Sequence, residues 1–220
     1  VPLYRINFQL RSPGQTQKFR IVTLAGFFEG TGMPDAGWWE ALFADPAAIL
    51  KSVGLSPGSD AVDLCAGDGW FTLQMARIAH HVVAVDIDAQ LLEVSRARFC
   101  EAAVSNGTFT VGDAYALPQL VSKPADFVFL ANAFHGVPDR PKLASAVRSV
   151  LKPGGLFAIV NWHQRPREKT TILGEPRGPK SELRMSPAST IEAVQPSGLI
   201  FKRTVEIPPY HYGAVFQKEL

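Results

Sequence analysis

The stretch Ala61–Phe71, AVDLCAGDGWF, decides the fold. The run ending in Val62–Asp63–Leu64 reads as a buried strand, Gly67 and Gly69 follow it, and a helical pattern opens at Trp70. Strand, glycine turn and helix in this order bring the backbone close to a nucleotide-like ligand.

Outward from this unit the pattern is regular. Strands are expected at 60–65, 82–86, 108–112, 126–131 and 156–162, with helices at 70–79, 88–103 and 139–151 and a short one near 115–121. Alternating strands and helices imply an α/β fold with a parallel sheet covered on both faces. LKPGG at 151–155 reads as a helix end, a proline stop and a turn into the next strand. A loop rich in Pro and Arg spans 163–187, a helix is expected at 187–196, and LIFKRTVEI and YGAVFQK supply two C-terminal strands. Before the repeating unit, GWWEALF and DPAAILKSV read as two short helices, the second with Pro46 in its first turn after Asp45. Residues 1–28 carry Arg5, Arg11, Lys18 and Arg20 and no acid, and alternation in LYRINFQL with a turn at RSPGQTQ suggests a surface arm or loose hairpin.

Composition narrows the function. The chain has 220 residues, 46% hydrophobic and 19% charged, which suits one sizeable globular domain. A formal net charge of +2 gives no argument for nucleic acid or an anionic membrane. Only two cysteines, Cys65 and Cys100, are present, too few for a disulfide framework or a multi-cysteine metal site. Their scarcity suits a reducing, cytoplasmic setting. Neither a membrane span nor a secretory signal is expected.

Two ligands compete for the glycine turn. A nicotinamide cofactor wants G-x-G-x-x-G/A, with a small third residue, but here Thr72 occupies that place. Asp63 and Asp68 would also repel a pyrophosphate, by about 1 to 4 kcal/mol per charge pair at 4 Å. A ligand without phosphates and with a positive centre fits better, and S-adenosylmethionine, with its sulfonium and ammonium, is such a ligand.

Four ordered motifs carry a family resemblance: VDLCAGDGW, VVAVDID, GDAYALP, and FLANAFHGVPD with LKPGG downstream. Over residues 55 to 162 the chain resembles the class I S-adenosylmethionine-dependent methyltransferases, closest to the group called type 11. Cys65 departs from the glycine usual in the first motif. The resemblance implies a Rossmann-like, doubly wound, mostly parallel seven-stranded sheet with an antiparallel C-terminal strand. Together with the acid-poor start, this reads as an arm at 1–28 and a cofactor-binding methyltransferase domain at 29–220.

It also distributes roles. Asp86, at the tip of the second strand, is expected to accept the ribose hydroxyls, since Asp88 already suits the following helix cap. Asp63 anchors the ligand's ammonium or shapes the turn; the two roles are compatible. Asp113 and Ala114 are expected at the adenine, and Gly67 and Gly69 let the backbone approach the methionine part. Asn132, opening the fourth motif's loop, joins the cofactor set.

The sulfonium is already activated, so the protein's task is to align a nucleophile and exclude water, with a base only where the acceptor must lose a proton. Ligands of such sheets bind at the carboxyl ends of the strands. That places Asn132, Phe134 and His135, then Trp162, His163, Arg165 and Arg167, then Tyr210, His211 and Tyr212 as candidate acceptor contacts, with Trp38 and Trp39 as a roof. His135, Tyr210 and His211 are the catalytic candidates. Tyr210 and His211 follow Pro208 and Pro209, and face His135 if the sixth strand runs parallel to the first five. ANAF replaces the [D/N]-P-P-[Y/F] of base-amino methylation, no cysteine ends the fourth or fifth strand, and no nucleic-acid recognition domain is appended. A small-molecule acceptor is the remaining reading. The alternatives are another enzyme on this fold, such as an aminopropyl transferase or a dehydrogenase, and a catalytically silent binder.

Overall fold

A computed structural model of the chain describes residues 36–220. The expected arm at 1–28, and its boundary with the domain, lie outside those residues. The helices are α1 (Ala36–Leu42), α2 (Pro46–Ser52), α3 (Trp70–Ala76), α4 (Ala89–Glu101), α5 (Leu117–Leu120), α6 (Arg140–Val150) and α7 (Pro187–Val194). The strands are β1 (Asp60–Leu64), β2 (His81–Asp86), β3 (Gly107–Val111), β4 (Ala125–Ala131), β5 (Leu151–Trp162), β6 (Thr171–Ile172), β7 (Glu175–Pro176), β8 (Ile200–Ile207) and β9 (His211–Gln217).

Seven strands form one sheet in the order β3-β2-β1-β4-β5-β9-β8, and β6 pairs with β7 in a small hairpin. β1 to β5 run parallel, while β9 is antiparallel to both β5 and β8. β8 therefore points the same way as the first five, and the β8–β9 turn rises at their carboxyl ends. The antiparallel strand is internal, with β8 at the edge.

The central strands are apolar on both faces because both are covered. On one face Phe127, Phe129, Ala158, Val160 and Val215 meet side chains of α1, α2 and α3. On the other, Val128, Leu130, Phe157, Ile159 and Ala214 meet α6 and α7. Helix starts follow local chemistry: Asp45, Asp88 and Asp139 accept hydrogen bonds from the first turns of α2, α4 and α6. Among the described residues no helix is long and apolar enough to cross a membrane.

Two local expectations change. LKPGG is not a turn ahead of β5 but part of it. Leu151 already pairs with Ala125, and the register then slips so that Leu156 meets Phe127. Gly154, at φ 76°, lets the intervening residues bulge out while its amide binds the Lys218 carbonyl. Residues 163–187 are not plain loop either, for they hold the β6–β7 hairpin and short 3₁₀ turns at Arg167–Lys169 and Ser181–Leu183.

Candidate active site

The carboxyl ends of β1, β2 and β3 bring three carboxylates around Cys65. Asp63 is 3% exposed and accepts a hydrogen bond from Thr72 Oγ1 at 2.5 Å. Burial, with lesser contributions from the charges of Asp86 and Asp68, pushes its carboxyl up to about 7. Asp86 accepts from the Gly67 amide at 2.8 Å and the Asp88 amide at 2.9 Å, yet burial outweighs both and raises it. Burial and the fields of Asp86, Asp63 and Asp113 push the Cys65 thiol up, leaving it an inert wall. Asp113 caps its own turn, accepting from the Tyr115 amide at 2.9 Å, and Ala114 opens that turn. Among the described residues none of these three acids forms an ion pair.

The two glycines differ. Gly67, at φ 55°, turns its amide onto Asp86. Gly69, at φ 81°, starts α3, and a side chain there would run into Ser95 on α4, whose Cα lies 3.0 Å from the Cβ position. Close helix packing thus accounts for Gly69 without any ligand. Asp68 also turns away from the expected use: Arg98 Nη2 lies 2.5 Å from its Oδ2. Burial still raises its carboxyl, against the opposing pull of Arg98. With Asp68 compensated, repulsion of a pyrophosphate falls to Asp63 and Asp86.

Beyond this acidic half lie the ends of β4, β5 and β9. Asn132 adopts φ 57° just past β4, its amide held by the Val160 carbonyl. His211 Nε2 donates to Asn132 Oδ1 at 2.9 Å. The imidazole is 1% exposed, wedged between Phe43 and Trp162 at 4.8 and 4.2 Å between ring centres. Burial first, then the nearby cationic groups, holds its pKa well below the usual range, so it is neutral with Nδ1 deprotonated. Among the described residues Nδ1 is buried with no hydrogen-bond partner, as is Asn132 Nδ2.

His135 is placed differently. Its Nδ1 donates to Asn161 Oδ1 at 3.1 Å, and burial lowers its pKa to about 4. Strand alternation puts Asn161 with Tyr212 on the face covered by α6 and α7, opposite Trp162 and His211. His135 acts on His211 only through its field, and among the described residues the two imidazoles share no hydrogen bond. Tyr210 stacks on Trp162 at 6.1 Å and gives its hydroxyl to the Thr171 carbonyl, tying the turn to the β6–β7 hairpin. Tyr212 is fully buried, its hydroxyl shared with Thr190 of α7 at 2.6 Å. Trp38 and Trp39 are buried, and Trp38 lies 6.2 Å from Trp162, so α1 does lie over this end of the sheet. Arg165 and Arg167 are exposed. The buried arginine of this segment is Arg184, which no sequence signal separates from its neighbours. A cavity of about 440 Å³ lined by Asp60, His80, Asn106 and Lys123 opens at the amino ends of the strands, away from all of these groups.

Residues 61–155 match the sequence profile of a family described as a methyltransferase domain. Residues 61–155 thus carry a methyltransferase domain. This domain is similar to the demethylmenaquinone methyltransferase of Staphylococcus aureus strain JH9, with 28% identity over 119 residues, 53% of this chain and 48% of that protein. The chain thus spans about half the length of the curated relatives it matches. Among solved structures it resembles a SAM-dependent methyltransferase from Aquifex aeolicus, with TM-score 0.70, 22% identity, and 83% of this chain and 93% of that one covered. It also resembles the cyclase SpnF, with TM-score 0.67, 16% identity, and coverage of 89% and 87%. These likenesses establish the fold. The methyltransferase domain's cofactor, S-adenosylmethionine, suits the residues present: buried Asp63 lacks a counter-cation that an ammonium would supply, and Asn132 Nδ2 lacks an acceptor.

Proposed function

We propose that the protein transfers a methyl group from S-adenosylmethionine to a small-molecule acceptor seated at the ends of β4, β5 and β9. Asp63, Gly67, Gly69, Asp86, Asp113, Ala114 and Asn132 form the cofactor half. Gly69 acts there by keeping α3 close to α4, and Asp86 and Asp113 each keep lone pairs free beyond the backbone bonds they accept. The cofactor supplies an activated methyl group. The chain supplies orientation, dryness and a proton acceptor.

The observation that carries the acceptor half is the His211–Asn132 bond. Asn132 fixes the Nε2–H tautomer of a neutral imidazole and leaves Nδ1 as a bare, buried base beside the strand end that also bounds the cofactor half. His211 therefore replaces His135 as the leading base, with His135 held by Asn161 as a positioning residue. Tyr210 serves by anchoring the turn that presents His211. Trp38, Trp162 and Phe43 wall the site and exclude water. Two free cysteines fit a cytoplasmic setting, and nothing in the net charge favours nucleic acid.

Because a cyclase shares the fold, transfer itself must be measured. The protein, given S-adenosylmethionine carrying a tritiated methyl group and a filtered small-molecule extract, should label a compound that passes the filter. His211→Ala should bind S-adenosylhomocysteine normally in calorimetry and lose the labelling. Intact cofactor binding with no labelling by the wild type overturns the proposal.

A further inference from the structure

Arg184 is the one arginine of the β5–α7 connection that is buried, at 3% exposure. Its Nε donates to the Pro179 carbonyl at 3.2 Å, and its Nη2 donates to the Arg177 carbonyl and Thr170 Oγ1, both at 2.9 Å. These bonds orient the guanidinium plane. Among the described residues Nη1 is buried and has no hydrogen-bond partner. Among the described residues no carboxylate forms an ion pair with it, and the exposed Glu168 acts on it only through its field, against that of Arg167. The group lies over the Trp162 ring, 4.9 Å from its centre, and Trp162 is the residue that packs against His211.

A guanidinium cannot shed its proton at physiological pH, so burying it without a paired carboxylate costs several kcal/mol, on the order of a broken buried ion pair. Holding a loop needs no such charge. The carbonyl and hydroxyl bonds explain why the plane is fixed, but not why a charged edge is left bare over the same indole that packs against His211. Among the described residues, Arg184 Nη1 in the β5–α7 connection, His211 Nδ1 at the start of β9, Asn132 Nδ2 just past β4, Asn161 Nδ2 near the end of β5 and Trp39 Nε1 on α1 are buried polar atoms without partners. Arg184 also helps keep both His135 and His211 neutral, so its charge reaches the proposed acceptor end.

The geometry points to Arg184 as the anion anchor of the acceptor site, selecting an acceptor that carries a carboxylate beside the group to be methylated. A single free Nη suits a monoanion. A phosphate would want several donors. The indole under the guanidinium offers a flat apolar wall for the body of such an acceptor. This assignment rests on the acceptor-site reading above, and its test separates the two.

Benzoate serves as the probe and benzamide as its neutral counterpart, both titrated by calorimetry and NMR into protein saturated with S-adenosylhomocysteine. Benzoate should bind the wild type and shift the His211 imidazole resonances. Arg184→Met should weaken benzoate about tenfold or more and leave benzamide unchanged. Should Arg184→Met fail to fold, Arg184→Lys, which keeps the charge and loses the fork, should give an intermediate benzoate affinity. Equal benzoate affinity in the wild type and the variants overturns the anchor. Binding that depends on Arg184 yet leaves His211 unshifted overturns its placement in the acceptor site. Absence of methyl labelling with Arg184-dependent benzoate binding intact overturns the methyltransferase reading and leaves the anion site standing.

Discussion

His211 Nε2 and Asn132 Oδ1 lie 2.9 Å apart, although the residues are 79 positions apart in the chain. One opens the last strand of the sheet and the other follows β4, and β5 runs between them. The bond sets the imidazole tautomer, and with it which nitrogen is free for chemistry.

The first prediction tests that tautomer. Nitrogen-15 NMR of histidine-labelled protein should show His211 as neutral Nε2–H. Asn132→Asp should raise the His211 pKa, because a carboxylate in place of the amide favours the imidazolium. The acid limb of the labelling rate should then move to higher pH. An unmoved pH profile in a folded variant would sever the link between Asn132 and the base.

Asp63 couples cofactor binding to pH. Its carboxyl titrates near about 7 in the free protein, and a bound ammonium would favour the ionised form. Binding below about pH 7 must then release a proton, so affinity for S-adenosylhomocysteine should climb between about pH 5 and about pH 7 and level off above. Calorimetry in buffers of different ionisation enthalpy should detect the released proton. Asp63→Asn should abolish the slope. A slope that survives the substitution removes Asp63 from the ligand.

Stability should respond to His135 with a definite sign. Its pKa falls from 6.5 in the unfolded chain to about 4 in the folded one. As pH drops through that interval the unfolded state binds the proton first, so stability is lost progressively between about pH 6.5 and about pH 4. Asp63 works the other way over the same interval, since its raised pKa makes the folded state bind the proton first. His135→Gln should therefore flatten the acid loss in denaturant titrations, and Asp63→Asn should steepen it.

Asp86→Ala should weaken S-adenosylhomocysteine at least tenfold, since each charge-assisted hydrogen bond lost is worth about 1.5–3 kcal/mol. It should also lower the melting temperature, because the Gly67 and Asp88 amides lose their acceptor. Unchanged affinity in the folded variant would remove the ribose assignment.

Gly69 and Ser95 give a test independent of any ligand. Gly69→Ala should destabilise by about 1–3 kcal/mol, from a left-handed φ and the collision with Ser95. Ser95→Ala removes a buried hydroxyl without a partner and should be neutral or stabilising by about 1 kcal/mol. Denaturant midpoints of both variants measure this directly.

The order of strands and helices was legible because apolar periodicity and caps such as Asp45 and Asp88 act within a few residues of the chain. The cluster of acids was legible for the same reason, as Asp63, Asp86 and Asp113 each lie within two residues of the end of a strand that announces itself locally. Whether a side chain stays free after its neighbours are satisfied is a different kind of property. Asp68 is taken by Arg98, 30 residues on, and Gly69 by Ser95. His135 and His211 read alike as histidines near strand ends, yet each is bound to a different asparagine, Asn161 and Asn132, through a different ring nitrogen. Arg184 sits among exposed arginines in the sequence, and only the folding of residues 163–186 over Trp162 buries it. The sequence by itself determined the sheet, its direction and the acids gathered at its carboxyl end, because those follow from local backbone preference and alternation. Only the tertiary structure decided which polar atoms remain unpaired there, because hydrogen-bond satisfaction depends on partners brought together from distant parts of the chain.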